Sequence, residues 1–223
     1  MNDTISDLIQ LYKRERFEIE QFFDGVLSFF TKHPILTSGN TPIIHSIKSR
    51  LKDPDHLHDK INRKIQTGVT LTKDNFFDTI TDLAGVRILH LHSRQFVEIH
   101  NAILKKISLG DWIFKEPPTA YSWDPDTSSF FKSLSIVPTI KPSHYTSVHY
   151  LVKPPREKSI ACCEIQVRSL FEEIWGEIDH QINYPYRSDS EACKAQLVVL
   201  SRLAATGTKL VDSIYLSYQS KKD

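Results

Sequence analysis

The chain has 223 residues, of which 40% are hydrophobic and 25% are charged, and its formal net charge is +1. This composition is typical of a globular protein and excludes a disordered or fibrous chain. No apolar run approaches the roughly 18 residues that a membrane helix needs, and the polar N-terminus lacks the pattern of a signal peptide. We therefore expect a cytoplasmic protein without a membrane partner, which meets anionic ligands through local groups of cations.

The first third of the chain is predicted to be mostly helical. Apolar residues recur near helical spacing from Asp3 to about Lys32, which predicts one or two amphipathic helices. A second helical stretch is predicted to begin near Thr41 and to be broken or kinked at Pro54. Between Thr41 and Gln66 the chain has a local excess of three positive charges, and we call residues 41–66 the basic segment. Its basic residues are Lys48, Arg50, Lys52, Lys60, Arg63 and Lys64, set against three aspartates.

The middle of the chain predicts one central strand followed by a long irregular region. Residues 85–92 (GVRILHLH) are rich in branched apolar side chains, which favour a buried strand, and a helix from about Ser93 to Ile107 is predicted to follow. From Gly110 to Pro142 proline and aromatic residues are dense, which predicts a long loop. A loop of this length in a compact domain is more often functional than not.

The last third predicts a β-hairpin followed by two helices. Residues 145–153 and 159–167 form two strand patterns joined by the turn PPREK, which indicates an antiparallel pair. Helices are predicted from about Ser169 to Ile182 and from about Asp189 to Tyr218. The whole pattern indicates an α+β fold, a small mixed β-sheet flanked by helices.

The hairpin is predicted to carry a polar face. Because side chains alternate between the two faces of a strand, Glu164, Gln166 and Arg168 are expected to share one side. On the partner strand the same alternation groups Tyr145, Ser147 and His149. The two sets form either a solvated sheet face or, beneath the predicted long loop, one wall of a cleft.

Asp82 lies just before the predicted central strand, where it is either a cap or turn residue or a ligand-binding side chain. Together with Glu164 it would form a carboxylate pair suited to Mg²⁺, which takes oxygen ligands and keeps waters and substrate phosphates in its shell. No glycine-rich phosphate-binding loop occurs in the sequence. If the protein binds nucleotide phosphates, they would therefore meet side-chain cations from the basic segment. The alternative interpretation of this segment is a solvated helix face.

Four short motifs, in chain order, resemble those of the synthetase domain of the RelA/SpoT family. SRLKDPDHLHDK (49–60) is similar to the family's basic RxKxxxSxxxK segment, and DLAGVRI (82–88) resembles DLxxxRI. HYTSVH (144–149) is similar to GYxSxH, and EIQVRS (164–169) resembles EIQIRT. EIQ alone would be a weak signal, but four motifs in this order are specific.

The resemblance implies a nucleotidyltransferase-like synthetase fold and a GTP pyrophosphokinase activity. In that reaction the β,γ-pyrophosphate of ATP moves to the 3′-hydroxyl of GTP or GDP, which makes the alarmone (p)ppGpp and releases AMP. The resemblance implies that Asp82 holds Mg²⁺ and that Glu164 assists it or deprotonates the attacking hydroxyl.

The resemblance also implies two groups of substrate-binding residues. On the ATP side, Arg50 and Arg87 would sandwich the adenine, because planar guanidinium groups stack on aromatic rings. Lys52 and Lys60 would meet the ATP phosphates. On the acceptor side, Tyr145 would stack on the base, and the other implied contacts are Lys141, His149, Gln166, Arg168 and His180.

The resemblance further implies one synthetase domain over residues 1–223. It would comprise N-terminal helices over 1–40, a catalytic core over 41–185 and a C-terminal helix over 186–223. Because only about 40 residues precede the basic segment, we expect no family hydrolase domain and no hydrolysis of the product. Control would then come from a homo-oligomer, an allosteric nucleotide or an antitoxin-like partner.

Two departures from the family motifs keep other functions open. His144 replaces a glycine and His56 replaces a serine, and a histidine lacks the backbone freedom of glycine. One alternative is a toxin-type pyrophosphokinase that acts on the 3′ end of tRNA or on adenine nucleotides, with the basic segment gripping a phosphate backbone. The other is an inactive nucleotide-sensing module, which the retention of Asp82 and Glu164 disfavours.

Overall fold

The structure is a computed structural model that describes residues 4–39, 41–184 and 188–220. Within these ranges the chain folds into a six-stranded mixed sheet and seven helices, which confirms the predicted α+β class. In chain order the elements are α1 (Ile5–Lys32), β1 (Ser46–Leu51), α2 (Pro54–Gln66), α3 (Phe76–Thr79), β2 (Ala84–His90), α4 (Ser93–Ser108), β3 (Ile113–Tyr121), α5 (Pro125–Ser133), β4 (Val137–Thr139), β5 (Ser147–Lys153), β6 (Cys163–Ser169), α6 (Leu170–Asn183) and α7 (Glu191–Gln219). None of the described helices combines the length and the apolar character needed to cross a bilayer.

The sheet has the strand order β1-β2-β6-β5-β3-β4. Its second and third strands, β2 and β6, are parallel, and in this pair Gly85 lies opposite Glu164 and Arg87 lies opposite Gln166. β5 pairs with β6 in the antiparallel sense, which confirms the predicted hairpin. The segments DLAGVRI and EIQVRS, about 80 residues apart in the chain, therefore lie side by side.

One face of this sheet supplies the hydrophobic core. Alternate residues of β2, β5 and β6 are almost fully buried there: Val86, Ile88, Val148, Tyr150, Ile165 and Val167. Helices α1 and α4 pack against them. α1 is a single helix whose buried residues recur every three or four positions. A capping box between Thr4 and Asp7 begins α1. The opposite face, which carries Glu164 and its alternate neighbours, is left for polar side chains.

The helical prediction for the start of the basic segment is wrong. Residues 46–51 form the edge strand β1, which pairs antiparallel with β2 from Ser46 opposite Leu89 to Leu51 opposite Ala84. Pro54 therefore marks the first turn of a new helix, where proline is tolerated, and Asp53 caps that helix by accepting from the Asp55 N–H at 2.8 Å. Tertiary pairing with a buried strand has overridden local helix propensity.

The prediction of a long loop from Gly110 to Pro142 is also wrong. This region contains β3, α5 and β4, so it extends the sheet beyond β5. β3 accommodates two adjacent prolines because its register against β5 shifts between Phe114 and Glu116 and again between Glu116 and Thr119. Prolines are tolerated at such irregularities, where no ladder hydrogen bond is lost.

A hydrogen bond of Tyr12 ties α1 to the turn between β1 and α2. The Tyr12 side chain is fully buried, and its hydroxyl donates to the backbone carbonyl of Lys52 at 2.7 Å. We expect Tyr12→Phe to lower the free energy of unfolding by about 1–2 kcal/mol, because the ring remains but a buried carbonyl loses its donor. Urea unfolding checks this.

The control for this substitution is Ser213→Ala, which removes a hydroxyl from an exposed side chain of α7. It should not lower the free energy of unfolding by more than about 0.5 kcal/mol. Equal stabilities of Tyr12→Phe and the unaltered protein would contradict the role given to the buried bond.

Candidate active site

An open cleft of about 890 Å³ lies on the polar face of the sheet. Its walls come from β1, β2 and β6, from the segment before β5, and from α6 and the start of α7. Nine of the twelve site residues predicted from the sequence line it: Arg50, Asp82, Arg87, Lys141, Tyr145, Glu164, Gln166, Arg168 and His180. The other three, Lys52, Lys60 and His149, contact residues of this lining.

Asp82 is held between two lysines of the basic segment. Lys52 Nζ lies 2.9 Å from Oδ2, and Lys60 forms an ion pair with Oδ1. Lys52 is only 7% exposed and is positioned by its backbone N–H, which donates to the carbonyl of Leu83 at 2.7 Å. Burial would raise the pKa of Asp82, but Lys60 and Lys52 outweigh it and lower the pKa to about 2. The carboxylate is therefore ionised at neutral pH.

Glu164 ends a chain of hydrogen bonds along the polar face. His149 Nδ1 lies 3.0 Å from Oε1, and Gln166 Nε2 donates to Oε2 at 2.8 Å. In the tautomer with the proton on Nδ1, His149 Nε2 accepts from the Tyr145 hydroxyl at 2.8 Å, and that hydroxyl accepts from Arg168 at 3.1 Å. Burial would raise the pKa of Glu164, but His149 outweighs it and lowers the pKa, while the charge of Asp82 acts in the raising direction.

Tyr145 is surrounded by cations and aromatic rings. Lys141 Nζ lies 4.7 Å from the centre of its ring and 3.7 Å from that of Tyr121, and the guanidinium carbon of Arg168 lies 5.3 Å from the Tyr145 ring. Burial lowers the pKa of Lys141. At the far rim His180 stacks on Tyr184, with ring centres 4.5 Å apart. These contacts bring Lys141, Tyr145, His149 and Arg168 together, whereas His180 lines the cleft apart from them.

His144 adopts the backbone conformation that favours glycine. Its φ is 61°, in the left-handed region, which costs a non-glycine residue roughly 1–2 kcal/mol. Two contacts hold it there: its ring stacks on Trp123 at 4.9 Å, and its Nδ1 lies 3.2 Å from Ser201 Oγ. Trp123 comes from the region predicted to be a loop, so that region packs against the residue that precedes Tyr145.

Sequence reasoning missed two glutamates of α6, Glu173 and Glu177. Both accept from Arg87 at 2.9 Å, and Lys48 Nζ lies 2.8 Å from Glu173 and 3.1 Å from Glu177. The available signal was their spacing of four residues on a predicted helix directly after EIQVRS, which places both on one helix face. Lys48 and Arg87 are thereby directed into the cleft.

The carboxylates of Asp82 and Glu164 fit a hard divalent cation in their chemistry. Both pKa values are lowered, both residues line the same cleft, and Asp82 already takes two ammonium groups as partners. In the described part of the chain no three His, Cys, Asp or Glu residues gather as a metal-binding group. A Mg²⁺ ion here would therefore take these two side chains from the protein and complete its shell with water and phosphate oxygens.

Comparison with known proteins gives the same picture from sequence and from fold. The chain is 25% identical over 170 residues to the GTP pyrophosphokinase YwaC of Bacillus subtilis (strain 168), which covers 74% of this chain and 70% of that protein. Small alarmone synthetase 1 of Bacillus subtilis bound to its product pppGpp is 19% identical with a TM-score of 0.66, covering 93% of this chain and 96% of the other. The same synthetase bound to AMPCPP is 19% identical with a TM-score of 0.61, covering 95% and 97%.

These two structures show a shared fold across almost the whole chain. A family model described as the region found in RelA/SpoT proteins matches residues 49–189, which include all four motifs and every predicted site residue. That match spans more than half of the sequence, and the protein therefore belongs to the RelA/SpoT family.

Proposed function

We propose that this protein transfers the β,γ-pyrophosphate of ATP to the 3′-hydroxyl of GTP or GDP, making (p)ppGpp and releasing AMP. Family membership, the similarity to a GTP pyrophosphokinase and the fold shared with a synthetase bound to pppGpp support the proposal. The observation that carries it is that Asp82 and Glu164 line one cleft. Lys52 and Lys60 pair there with Asp82, and further cations line the same walls: Arg87, Lys141 and Arg168.

The ATP side of the cleft is built from β1, β2 and α2. Arg50 and Arg87 lie on neighbouring strands at the cleft, where their flat guanidinium groups are suited to stacking on an adenine. Lys52 and Lys60, already beside Asp82, are suited to the phosphates. Mg²⁺ bound by Asp82 and Glu164 would neutralise charge on the transferred group as a Lewis acid.

The acceptor side positions the attacking hydroxyl. The 3′-oxygen forms a bond to the β-phosphorus of ATP while the bond from that phosphorus to the oxygen bridging to the α-phosphorus breaks, and AMP leaves with that oxygen. The proton of the hydroxyl passes to a carboxylate. Glu164 can accept this proton, in addition to binding Mg²⁺. Tyr145 stacks on the acceptor base, and Lys141, His149, Gln166, Arg168 and His180 surround it. Such a transfer depends mainly on alignment and on cations that meet the developing charge.

The contacts of the basic segment favour a small nucleotide over tRNA as the acceptor. Lys52 and Lys60 bind Asp82, and Lys48 binds Glu173 and Glu177, so these cations face the cleft. A grip on a nucleic-acid backbone requires cations presented along an outer surface. An adenine nucleotide or tRNA remains the alternative acceptor, and an inactive sensing module is the second alternative.

We also propose that the chain works in the cytoplasm as one synthetase domain, with a second copy or an antitoxin-like protein as its partner. Exposed apolar residues at helical spacing on α6 and on α7 support a protein partner, because large exposed apolar patches mark interaction surfaces. They are Phe171, Ile174, Ile178, Val199, Leu203, Leu210 and Ile214.

The proposed reaction is tested by the acceptor that becomes labelled. With Mg²⁺ and ATP labelled at the γ-phosphate, we expect label to move to GTP or GDP with release of one AMP per product. Parallel reactions contain GTP, GDP, ATP or deacylated tRNA as the acceptor. Labelled tRNA beside unmodified GTP and GDP would overturn the proposal in favour of the toxin-type activity.

The role of Glu164 is tested by Glu164→Gln, which keeps the side-chain shape and removes the charge. We expect kcat to fall by at least about 10²-fold, since the carboxylate serves the ion or the attacking hydroxyl. Thermal unfolding should stay close to that of the unaltered protein. Asp82→Asn should also abolish transfer, but it leaves the buried Lys52 without its carboxylate and is the less clean test.

Glu157→Gln is the matched control, because Glu157 is exposed in the turn between β5 and β6. Its kcat should equal that of the unaltered enzyme. Near-normal turnover by Glu164→Gln would remove this residue from the catalytic machinery.

Tyr145→Ala tests the assignment of the acceptor side. Stacking of a base on an aromatic ring contributes about 1–3 kcal/mol, so the KM for the acceptor should rise about 5- to 150-fold while the KM for ATP changes little. Tyr145→Phe keeps the ring and should retain most of the acceptor affinity. A rise in the KM for ATP as large as that for the acceptor would contradict the assignment.

A further inference from the structure

Glu173 is a buried carboxylate that lies behind the cleft rather than in its lining. It is 5% exposed and belongs to the first turn of α6. This helix begins directly at the end of β6: Ser169 caps it, its Oγ accepting from the Glu172 N–H at 3.2 Å while the Ser169 N–H donates to Glu172 at 2.6 Å. The absence of a loop between Ser169 and Leu170 holds Glu173 rigidly relative to the strand.

Three cations from three neighbouring strands converge on this one carboxylate. Lys48 of β1 lies 2.8 Å from it, Arg87 of β2 lies 2.9 Å from it, and Arg168 of β6 lies 3.3 Å from it. The sheet order places these strands side by side. Because a buried charge must be paired, the three contacts constrain one another.

Arg87 lines the cleft, and hydrogen bonds to three side chains hold its guanidinium group. Its NH1 group donates to Glu173 and Glu177 at 2.9 Å each, and its Nε donates to Gln166 at 3.3 Å. These bonds lie in the plane of the guanidinium group, so they fix the plane without covering its faces. A purine can then stack on a face whose orientation is already set.

Arg168, on the acceptor side, is held by the same carboxylate. It is 3% exposed, and its NH2 group donates to Gln166 at 2.7 Å and to Tyr145 at 3.1 Å, while NH1 faces Glu173. A Cβ atom at residue 176 would clash with this guanidinium, so Gly176 lets α6 approach it closely. Glu173 thus contacts one arginine of the ATP side and one of the acceptor side.

Glu177, one helical turn later, contacts Lys48 and Arg87 in a different environment. Its side chain is 46% exposed and it lines the cleft. Ion pairs that water reaches are weak. The phosphates of a nucleotide carry more charge and more acceptor oxygens, so they compete with Glu177 for Lys48.

We propose that Glu173 is a positioning residue that fixes Arg87 and Arg168 relative to each other, and so aligns ATP with the acceptor, whereas Glu177 is a competitor that ATP displaces from Lys48. The inference rests on the proposed function, in which Arg87 binds ATP and Arg168 binds the acceptor. Small misalignments of two bound reactants reduce rates strongly, which gives Glu173 its effect on turnover although it touches neither substrate.

Glu173→Gln and Glu177→Gln are a matched pair, because the same chemical change is made on the same helix to residues with shared partners. We expect Glu173→Gln to lower kcat by about 10-fold or more and to weaken binding of a non-hydrolysable ATP analogue. Glu173→Asp, which keeps the charge, should recover part of kcat. Glu177→Gln should lower the KM for ATP and the Kd of the analogue by about two- to five-fold. Steady-state kinetics and calorimetry measure these values.

Glu98→Gln, on the exposed surface of α4, is the control and should change none of these values by more than about two-fold. The inference is overturned if both variants shift ATP affinity in the same direction, or if Glu173→Gln lowers only the stability to urea. If Glu173→Gln does not fold, Glu173→Asp provides the test. The inference is then overturned if the kcat of Glu173→Asp equals that of the unaltered enzyme.

Failure of the inference and failure of the proposed function give different results. If the unaltered protein makes no (p)ppGpp, the proposed function falls, and the opposite shifts in ATP-analogue affinity still decide the roles of Glu173 and Glu177. If it makes (p)ppGpp but the two glutamine variants behave alike, only the inference falls.

Discussion

The parallel pairing of β2 with β6 is the constraint on which the rest of the site depends. It places Arg87 beside Gln166 and Gly85 beside Glu164, so two segments far apart in the chain share one polar face. Because side chains alternate along a strand, a slip of one residue would turn Glu164 and Arg168 into the core and bring Val167 to the cleft. The buried row of Val86, Ile88, Ile165 and Val167 opposes such a slip, so the hydrophobic core sets the geometry of the polar face.

Paired charges then hold the cleft ready for anionic ligands. The formal charge of the whole chain is only +1, yet several cations face one cleft. They are held in place by carboxylates of the same cleft or just behind it: Asp82 orients Lys52 and Lys60, and the glutamates of α6 orient Lys48 and Arg87. Cations oriented before the substrate arrives need little reorganisation during the reaction, which is the condition for strong electrostatic stabilisation of a transition state.

The parts of this arrangement that follow a local rule could be predicted from sequence. Strand alternation predicted that Glu164, Gln166 and Arg168 share one side of β6. The four motifs predicted the family to which the chain belongs, and with it the candidate site residues. β1 was mistaken for helix because lysine and arginine are good helix formers, and its pairing with β2 is visible only in three dimensions. Adjacent prolines made β3 look like a loop, since nothing local revealed the register shifts that accommodate them. Glu173 was missed because two of its partners lie more than 80 residues away.

The proposed ATP side and the proposed acceptor side of the cleft differ in how they are built, and under the proposed function this difference bears on acceptor choice. The ATP side rests on paired strands and a capped helix, whose hydrogen bonds leave little freedom. The acceptor side rests on Tyr145, which directly follows the strained residue His144, and His144 is held by Trp123 and Ser201 from segments outside the four motifs. Substitutions in those segments alter the support of Tyr145 without touching Asp82, Glu164 or the ATP-side cations. Under the proposed function, we therefore expect that acceptor preference can change within this fold while the proposed ATP-side residues stay in place.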